Sequence, residues 1–295
     1  MSVSKRLSGV LASAERISID DTDKIAILSD CHRGMGTASD NFAKNQNIYF
    51  HALQEYEKHG YHYIELGDGD ELWENVQFSS IVALHDHVFW LLRKFYEEKR
   101  VHFIFGNHDR IKEDSNFRKK HMRQYFCEKE RKYFPLFPDV TVHEGLVLQY
   151  KNKEILLVHG HQGDILNDVC WRLAKFLVRY VWKPLELFGV NDPTEPAKND
   201  KKRNQAEKEM QKWAKRHRCM LIAGHTHRPV FPQVGQIPYF NDGSCVHPRC
   251  ITAIEIVCGK IALVKWQVLV KDDGTLYINK EILAGENDLT DFFVY

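Results

Sequence analysis

Five times along this chain a short apolar run stops abruptly in a cluster of aspartate, asparagine or histidine. The runs are Lys24 to Ser29, Tyr61 to Leu66, Val101 to Phe105, Lys153 to Val158 and Met220 to Ala223. They are followed by Asp30-Cys31-His32, Gly67-Asp68-Gly69-Asp70-Glu71, Gly106-Asn107-His108-Asp109, His159-Gly160-His161 and Gly224-His225-Thr226-His227. Apolar runs this short are buried strands rather than helices. A strand end has no structural need for a carboxylate, an amide oxygen and an imidazole side by side. A glycine there allows a turn where a Cβ would clash. One such cluster is an ordinary polar turn, but the same grammar repeated at successive strand ends describes a sheet edge that carries chemistry.

Between the runs the chain alternates strand and helix. Val3 to Arg16, Asp40 to His59 and Ser79 to Lys99 carry apolar residues at helical spacing. His85 and His87, two apart in the third of these, point to different sides and are poor joint ligands. Ser115 to Tyr133 reads as a charged helix, and Val140 to Leu148 as a hairpin turning at Gly145. Val169 to Phe188 is an aromatic helix with a basic stripe, Arg172, Lys175, Arg179 and Lys183. Asn191 to Pro196 is a linker, Asn199 to His217 a second charged helix, and the remainder is rich in strands. Periodicity alone therefore gives an α/β chain.

Charge and cysteine usage narrow the function. The 41 basic and 40 acidic residues nearly cancel, which argues against nucleic acid as a partner held by bulk charge. No apolar stretch is long enough to span a bilayer. The seven cysteines are odd in number and form no C-x-x-C pair, unlike a disulfide framework or a structural zinc site. With no signal-peptide pattern at the start of the chain, the expectation is a cytoplasmic protein.

Strand alternation would put Asp30 and His32 on one side and Cys31 on the other. Carboxylate, imidazole and amide oxygen together suit Mn²⁺, Fe or Zn²⁺. A two-metal site clamps the attacking and leaving oxygens of a phosphoryl centre. The order D-x-H, G-D, G-N-H-D, H-G and G-H-x-H closely resembles the calcineurin-like metallophosphoesterase family. That resemblance implies a four-layer α/β/β/α sandwich of two mixed β-sheets flanked by helices. It also implies one domain over residues 1–295, with a helical insertion at 165–218. Carried over, it gives Asp30, His32 and His227 to a first metal and Asn107, His159 and His225 to a second, with Asp68 bridging. Two divalent ions, Mn²⁺ foremost, are the implied cofactors. His108 resembles the catalytic histidine and Glu71 the acid that orients it. His161 is left with two roles, ligation or support behind the ligands.

The implied reaction is hydrolysis of a phosphomonoester or pyrophosphate bond in a phosphorylated small molecule by a metal-bound hydroxide. Gly67 to Trp73 and the insertion are most similar to the UDP-diacylglucosamine hydrolase branch. Asp30-Cys31-His32-Arg33 departs from its D-x-H-L pattern. Arg172, Lys175 and Arg179 are candidate substrate contacts on a cap, since long basic side chains cover apolar surface while their heads reach phosphate. Two other classes compete. A nuclease on the same fold would bring a positive groove. A non-catalytic interaction module would have lost ligands, whereas every ligand position is filled.

Overall fold

The computed structural model describes residues 2–37, 40–127, 130–163, 176, 178 and 200–293. Two mixed sheets face each other. The larger sheet has seven strands, in the order 276–288, 260–270, 250–257, 24–28, 62–66, 101–104 and 142–143. Its members are β2 (Lys24–Leu28), β3 (His62–Leu66), β4 (Val101–Ile104), β7 (Val142–His143), β12 (Cys250–Val257), β13 (Lys260–Val270) and β14 (Leu276–Asp288). Strands β2, β3, β4 and β7 are parallel, and the other pairings are antiparallel. The five-stranded sheet runs β1 (Glu15–Ile19), β8 (Gly145–Tyr150), β9 (Lys153–Val158), β10 (Met220–Ala223), β11 (Tyr239–Asn241). Only its β8–β9 pairing is antiparallel.

Three apolar layers explain why the strands read as continuous hydrophobic runs. Ile25 and Ile27 of β2, Ile64 of β3 and Ile104 of β4 point between the sheets, where they meet Ile155 and Leu157 of β9. Ala26, Leu28, Tyr63 and Phe103, one step out of phase, face helices α2 (Gln46–Lys58), α3 (Phe78–Leu84) and α4 (Asp86–Glu97). On the far side, Leu156 and Val158 of β9 pack under α1 (Val3–Ser13) and the later helix Asp200–His217, through Leu7, Val10, Met210 and Trp213. Both faces of the parallel strands are thus covered, as helix crossovers require. A fully buried Ile27 contributes roughly 1.5–3 kcal/mol through burial.

Several elements differ from the sequence reading. The first helix ends at Ser13, and Glu15–Ile19 forms a strand; its alternation of polar and apolar residues has a period of two. The expected helix Ser79 to Lys99 is two helices broken at His85, whose buried ring has Nε2 3.2 Å from the Gly34 carbonyl. The charged helix Ser115 to Tyr133 is only a short helical stretch, Ser115–Met122, followed by a two-stranded ribbon, β5 (Gln124–Cys127) with β6 (Lys132–Pro135). Val140 to Leu148 is not a hairpin: β7 pairs with β4 in one sheet, and β8 pairs with β1 and β9 in the other. Apart from Phe176 and Val178, the helix expected at Val169 to Phe188 and the linker after it lie outside the described residues.

Candidate metal centre

All five clusters arrive at one place. β2, β3 and β4 end there from one sheet, and β9 and β10 from the other. The two sheets are tied at this edge. His159 Nδ1 lies 2.9 Å from the Leu66 carbonyl, and the His225 N–H donates to Asp30 Oδ2 at 2.8 Å. A carbonyl only accepts, so the first bond places the proton of His159 on Nδ1 and leaves Nε2 for another partner.

That partner region is acidic. His159 Nε2 stands 3.1 Å from Asp68 Oδ2 and 4.0 Å from Asp30 Oδ1. His227 Nε2 is 3.0 Å from Asp30 Oδ1, and His32 Nε2 is 3.7 Å from the same atom and 3.9 Å from Asp68 Oδ2. Ligand atoms of Asp30, His32 and His227 fall within 4.8 Å of one another, and those of Asp68, His159 and His225 do likewise. Among the described residues, His32 Nε2, Asn107 Oδ1, His159 Nε2 and His225 Nε2 are buried without a hydrogen-bond partner. An unpartnered buried polar atom costs about 1–3 kcal/mol. Four at one point, beside two buried carboxylates, fit a site that takes up cations.

The backbone agrees. Asp30 (φ 52°), His32 (48°), Asp68 (49°), His225 (67°) and His227 (54°) all adopt left-handed conformations. For L-residues this costs roughly 1–2 kcal/mol each, and such strain collects at functional sites. It also corrects the expected geometry. Asp30 and His32 share a side because both turn out of the extended conformation, not because a strand continues through them. Cys31 is buried in the helix-side core. Gly67 (φ +95°) is required twice over, since a Cβ there would stand 2.6 Å from His159 Cγ. Gly106 serves by close approach rather than by an unusual φ: its Cβ would meet Asp68 Oδ1 at 2.1 Å.

Electrostatics divide the histidines. Burial opposes charge on His159, but Asp68 and Asp30 raise it to about 9. Burial opposes charge on His32 as well, and Asp30 and Glu71 lift it well above its ordinary value. Burial, and then the charge of His159, press His225 down to about 3. Burial drives His161 well below its ordinary value, with His159 next in effect. His161 is fully buried, and neither ring nitrogen has a hydrogen-bond partner. Its ring lies 5.6 Å from that of His159 and 6.1 Å from Phe105, behind the clusters just described.

His108 and Glu71 meet. Glu71 Oε2 is 2.7 Å from His108 Nδ1 and 2.9 Å from His32 Nδ1, so one carboxylate oxygen faces two imidazoles and hydrogen-bonds that of His32. Its other oxygen accepts the N–H groups of Trp73 and Glu74. Trp73 stacks on His108 with centroids 4.3 Å apart. Burial works against the charge on Glu71, but His108 and His32 hold its carboxyl far below the usual range.

Other residues stand behind the site, and two of them, Ser29 and Glu207, gave no local sequence signal. The Oγ of Ser29 lies between Asp30 Oδ2 and Asp242 Oδ1. Burial, and then Asp30, push the Asp242 carboxyl well up. Thr226 Oγ1 donates to the buried Glu207 of helix Asp200–His217 at 3.0 Å, which steadies the turn between His225 and His227. Arg172, Lys175 and Arg179, expected as substrate contacts, lie outside the described residues.

A sequence profile of a family described as calcineurin-like phosphoesterase matches residues 23–229. Among solved structures, a conserved protein of Streptococcus pneumoniae TIGR4, described as a predicted phosphoesterase, is 15% identical, with 88% of this chain and 97% of that chain covered and a TM-score of 0.36. Vps29 of Chaetomium thermophilum is 10% identical, with 88% and 96% covered and a TM-score of 0.39. No curated protein matches the chain. Among the described residues, no helix is long and apolar enough to cross a membrane.

Proposed function

The chain belongs to the calcineurin-like phosphoesterase family, and on that premise we propose that it is a metal-dependent hydrolase of a phosphomonoester or pyrophosphate bond. The observation that carries this reading is the convergence of four unpartnered buried ligand atoms, from the ends of β2, β4, β9 and β10, on the two buried carboxylates Asp30 and Asp68. Asp30, His32 and His227 would hold one divalent ion and Asn107, His159 and His225 a second, with Asp68 between them. Hard oxygen and imidazole donors suit Mn²⁺, with Fe and Zn²⁺ as alternatives. Bound ions of this kind stabilise negative charge on a phosphoryl group and lower the pKa of a water.

The chain's own groups supply the rest. Glu71 engages His108 through Nδ1, which leaves Nε2 as the ring atom that would pass a proton to the leaving oxygen. Trp73 covers one face of that ring and limits its rotation, so the proton is presented in one direction. The left-handed turns at Asp30, Asp68 and His225 hold their side chains in place before any ligand arrives, and reorganisation on binding is therefore small. We read the chain as one domain whose insertion at 165–218 supplies a substrate cap from the part before Asp200–His217, since that helix packs on the far side of the five-stranded sheet. The described cysteines are free thiols, which suits a reducing, cytoplasmic compartment.

The test is a Mn²⁺-loaded activity panel across phosphomonoesters, phosphodiesters and nucleotide-diphosphate sugars. Turnover of monoesters or pyrophosphates, abolished by chelation and restored by Mn²⁺, is the expected result. Cleavage confined to diesters would move the assignment to a phosphodiesterase. No turnover of any substrate would remove it.

A further inference from the structure

Beneath the candidate metal centre lies a set of buried charges that the proposed chemistry does not use. Arg33, Glu65, Asp70, Asp109 and Lys112 are each at most 2% exposed. Arg33 sends Nε to Asp70 Oδ1 (2.8 Å) and a fork of Nη1 and Nη2 to the two oxygens of Glu65 (2.7 and 3.0 Å). Lys112 Nζ stands 2.6 Å from Asp70 Oδ2, 2.7 Å from Asp109 Oδ2 and 3.7 Å from Glu65 Oε1. Oxygens of these three carboxylates lie within 4.8 Å of one another, a grouping that demands a cation, and the Lys112 ammonium takes that place.

The anions belong to the loops that carry the site. Asp70 is two residues past Asp68, and Asp109 is two past Asn107. Asp109 Oδ1 accepts the Gly106 N–H at 2.7 Å, and its Oδ2 accepts the Gly69 N–H at 3.2 Å. The turn after β2 is stitched to the same place: the Arg33 N–H donates to the Gly69 carbonyl, and the Glu71 N–H donates to the Arg33 carbonyl, both at 3.0 Å. Arg33 is the residue that departs from D-x-H-L in the sequence, and Asp70 is the acid it meets.

We propose that Lys112 is a positioning residue whose ammonium, seated among Glu65, Asp70 and Asp109, clamps loop 67–71 to loop 106–109 and so fixes where Asp68, Asn107 and His108 stand. The clamp matters for catalysis only if those three act as read under the proposed function, but its mechanical role stands apart from that reading. Charge supports it. Burial works against charged Lys112, and Asp109 and Asp70 raise it above its ordinary value. A lysine built in as the cation leaves the neighbouring histidine sites as the places where a metal can be exchanged.

The experiment uses Lys112→Met, which keeps the buried stem, and Lys112→Met with Asp70→Leu, which withdraws one charge of each sign. Removing one partner of a buried pair destabilises strongly, whereas replacing both by apolar groups is often neutral. The double variant therefore decides the matter if the single one fails to fold. Amide exchange is measured by NMR on metal-free protein, and Mn²⁺ affinity by calorimetry. The expected result for the double variant is exchange at Gly69 and Gly106 about tenfold faster or more, with Val147 and Leu156 in the core unchanged. Mn²⁺ affinity should fall by about 10–100-fold, the range for groups that support metal ligands. Unchanged exchange at Gly69 and Gly106, or equal acceleration throughout the chain, overturns the clamp. Inactivity of the wild-type protein together with the expected exchange pattern would sink the proposed function and leave the clamp standing.

Discussion

The seven-stranded sheet carries histidines near both ends of its parallel strands. Where β2, β3 and β4 finish, His32 and His108 sit with Asp30, Asp68 and Glu71 and are raised in spite of burial. Near the start of the same strands, His62 of β3 and His102 of β4 stack with centroids 6.4 Å apart, and His143 of β7 lies alongside. Burial lowers all three. Their acidic company is thin: Glu15 reaches His143 at 3.5 Å from a largely exposed position, and Asp23 acts on His62 from a turn. Arg100 and Arg118 add positive charge. Both groups lie on one scaffold and consist of one residue type. The difference is the buried carboxylates, and it teaches that a histidine cluster signals a cation site only when acids are buried with it. His225 and His161, pressed down inside the acidic group, show that even there the effect is local.

The largest break in this contrast comes from removing the central acid. Asp68→Asn should lose most bound Mn²⁺, read by metal analysis of dialysed protein, and activity should fall by on the order of 10³-fold. Full metal occupancy would make Asp68 dispensable and the contrast empty. His108→Ala should lower kcat by about 10²–10⁴ with metal content intact, as for a positioned acid; loss of metal instead would make His108 a ligand. Glu71→Gln should cost less, about 10–100-fold in kcat, because the amide oxygen can still accept from an imidazole N–H. A loss as large as that of His108→Ala would mean that the charge of Glu71 is required rather than its geometry.

The candidate site was more legible in the sequence than the fold around it. The parallel strands are buried on both faces, so they print as unbroken apolar runs, and their polar ends stand out by contrast. The clusters that hold Asp30, His32, Asp68, Asn107, His159, His225 and His227 could be picked from that contrast, whereas the choice of these seven as ligands rested on the family resemblance. Elements set by distant partners could not. Val142–His143 and Gly145–Tyr150 are neighbours in the chain but join different sheets, and no local pattern encodes that choice. His85 breaks a helical repeat that is apolar on both sides of it, because its ring is drawn to the Gly34 carbonyl. Lys112 was hidden for the same reason. A lysine three residues after Asp109 reads as an exposed turn of charge until β3 and its loop bring Asp70 and Glu65 to it.

The far end of the sheet offers a test that leaves the site untouched. Burial, then His62 and His143, push His102 down to about 4 in the folded chain, against an ordinary value of 6.5. Below pH 6.5 the unfolded chain takes up a proton that the folded chain refuses, so ν_U exceeds ν_N and stability rises with pH there. The contribution is complete above pH 6.5, falls as pH drops from 6.5 to about 4, and is flat below that. A shift of this size corresponds to roughly 3 kcal/mol, and partial solvent access reduces it to about 1–2 kcal/mol. His102→Phe removes the group, keeps the ring's bulk and should leave activity at pH 7.5 unchanged. Urea unfolding of metal-free wild type and variant at pH 7.5, 5.5 and 4.5 cancels what the other histidines contribute to both. The variant should gain on the wild type by that 1–2 kcal/mol as pH falls through the window. A constant difference at all three values would mean that His102 is as easily protonated in the fold as outside it, and the two ends of the sheet would then not differ in the way described.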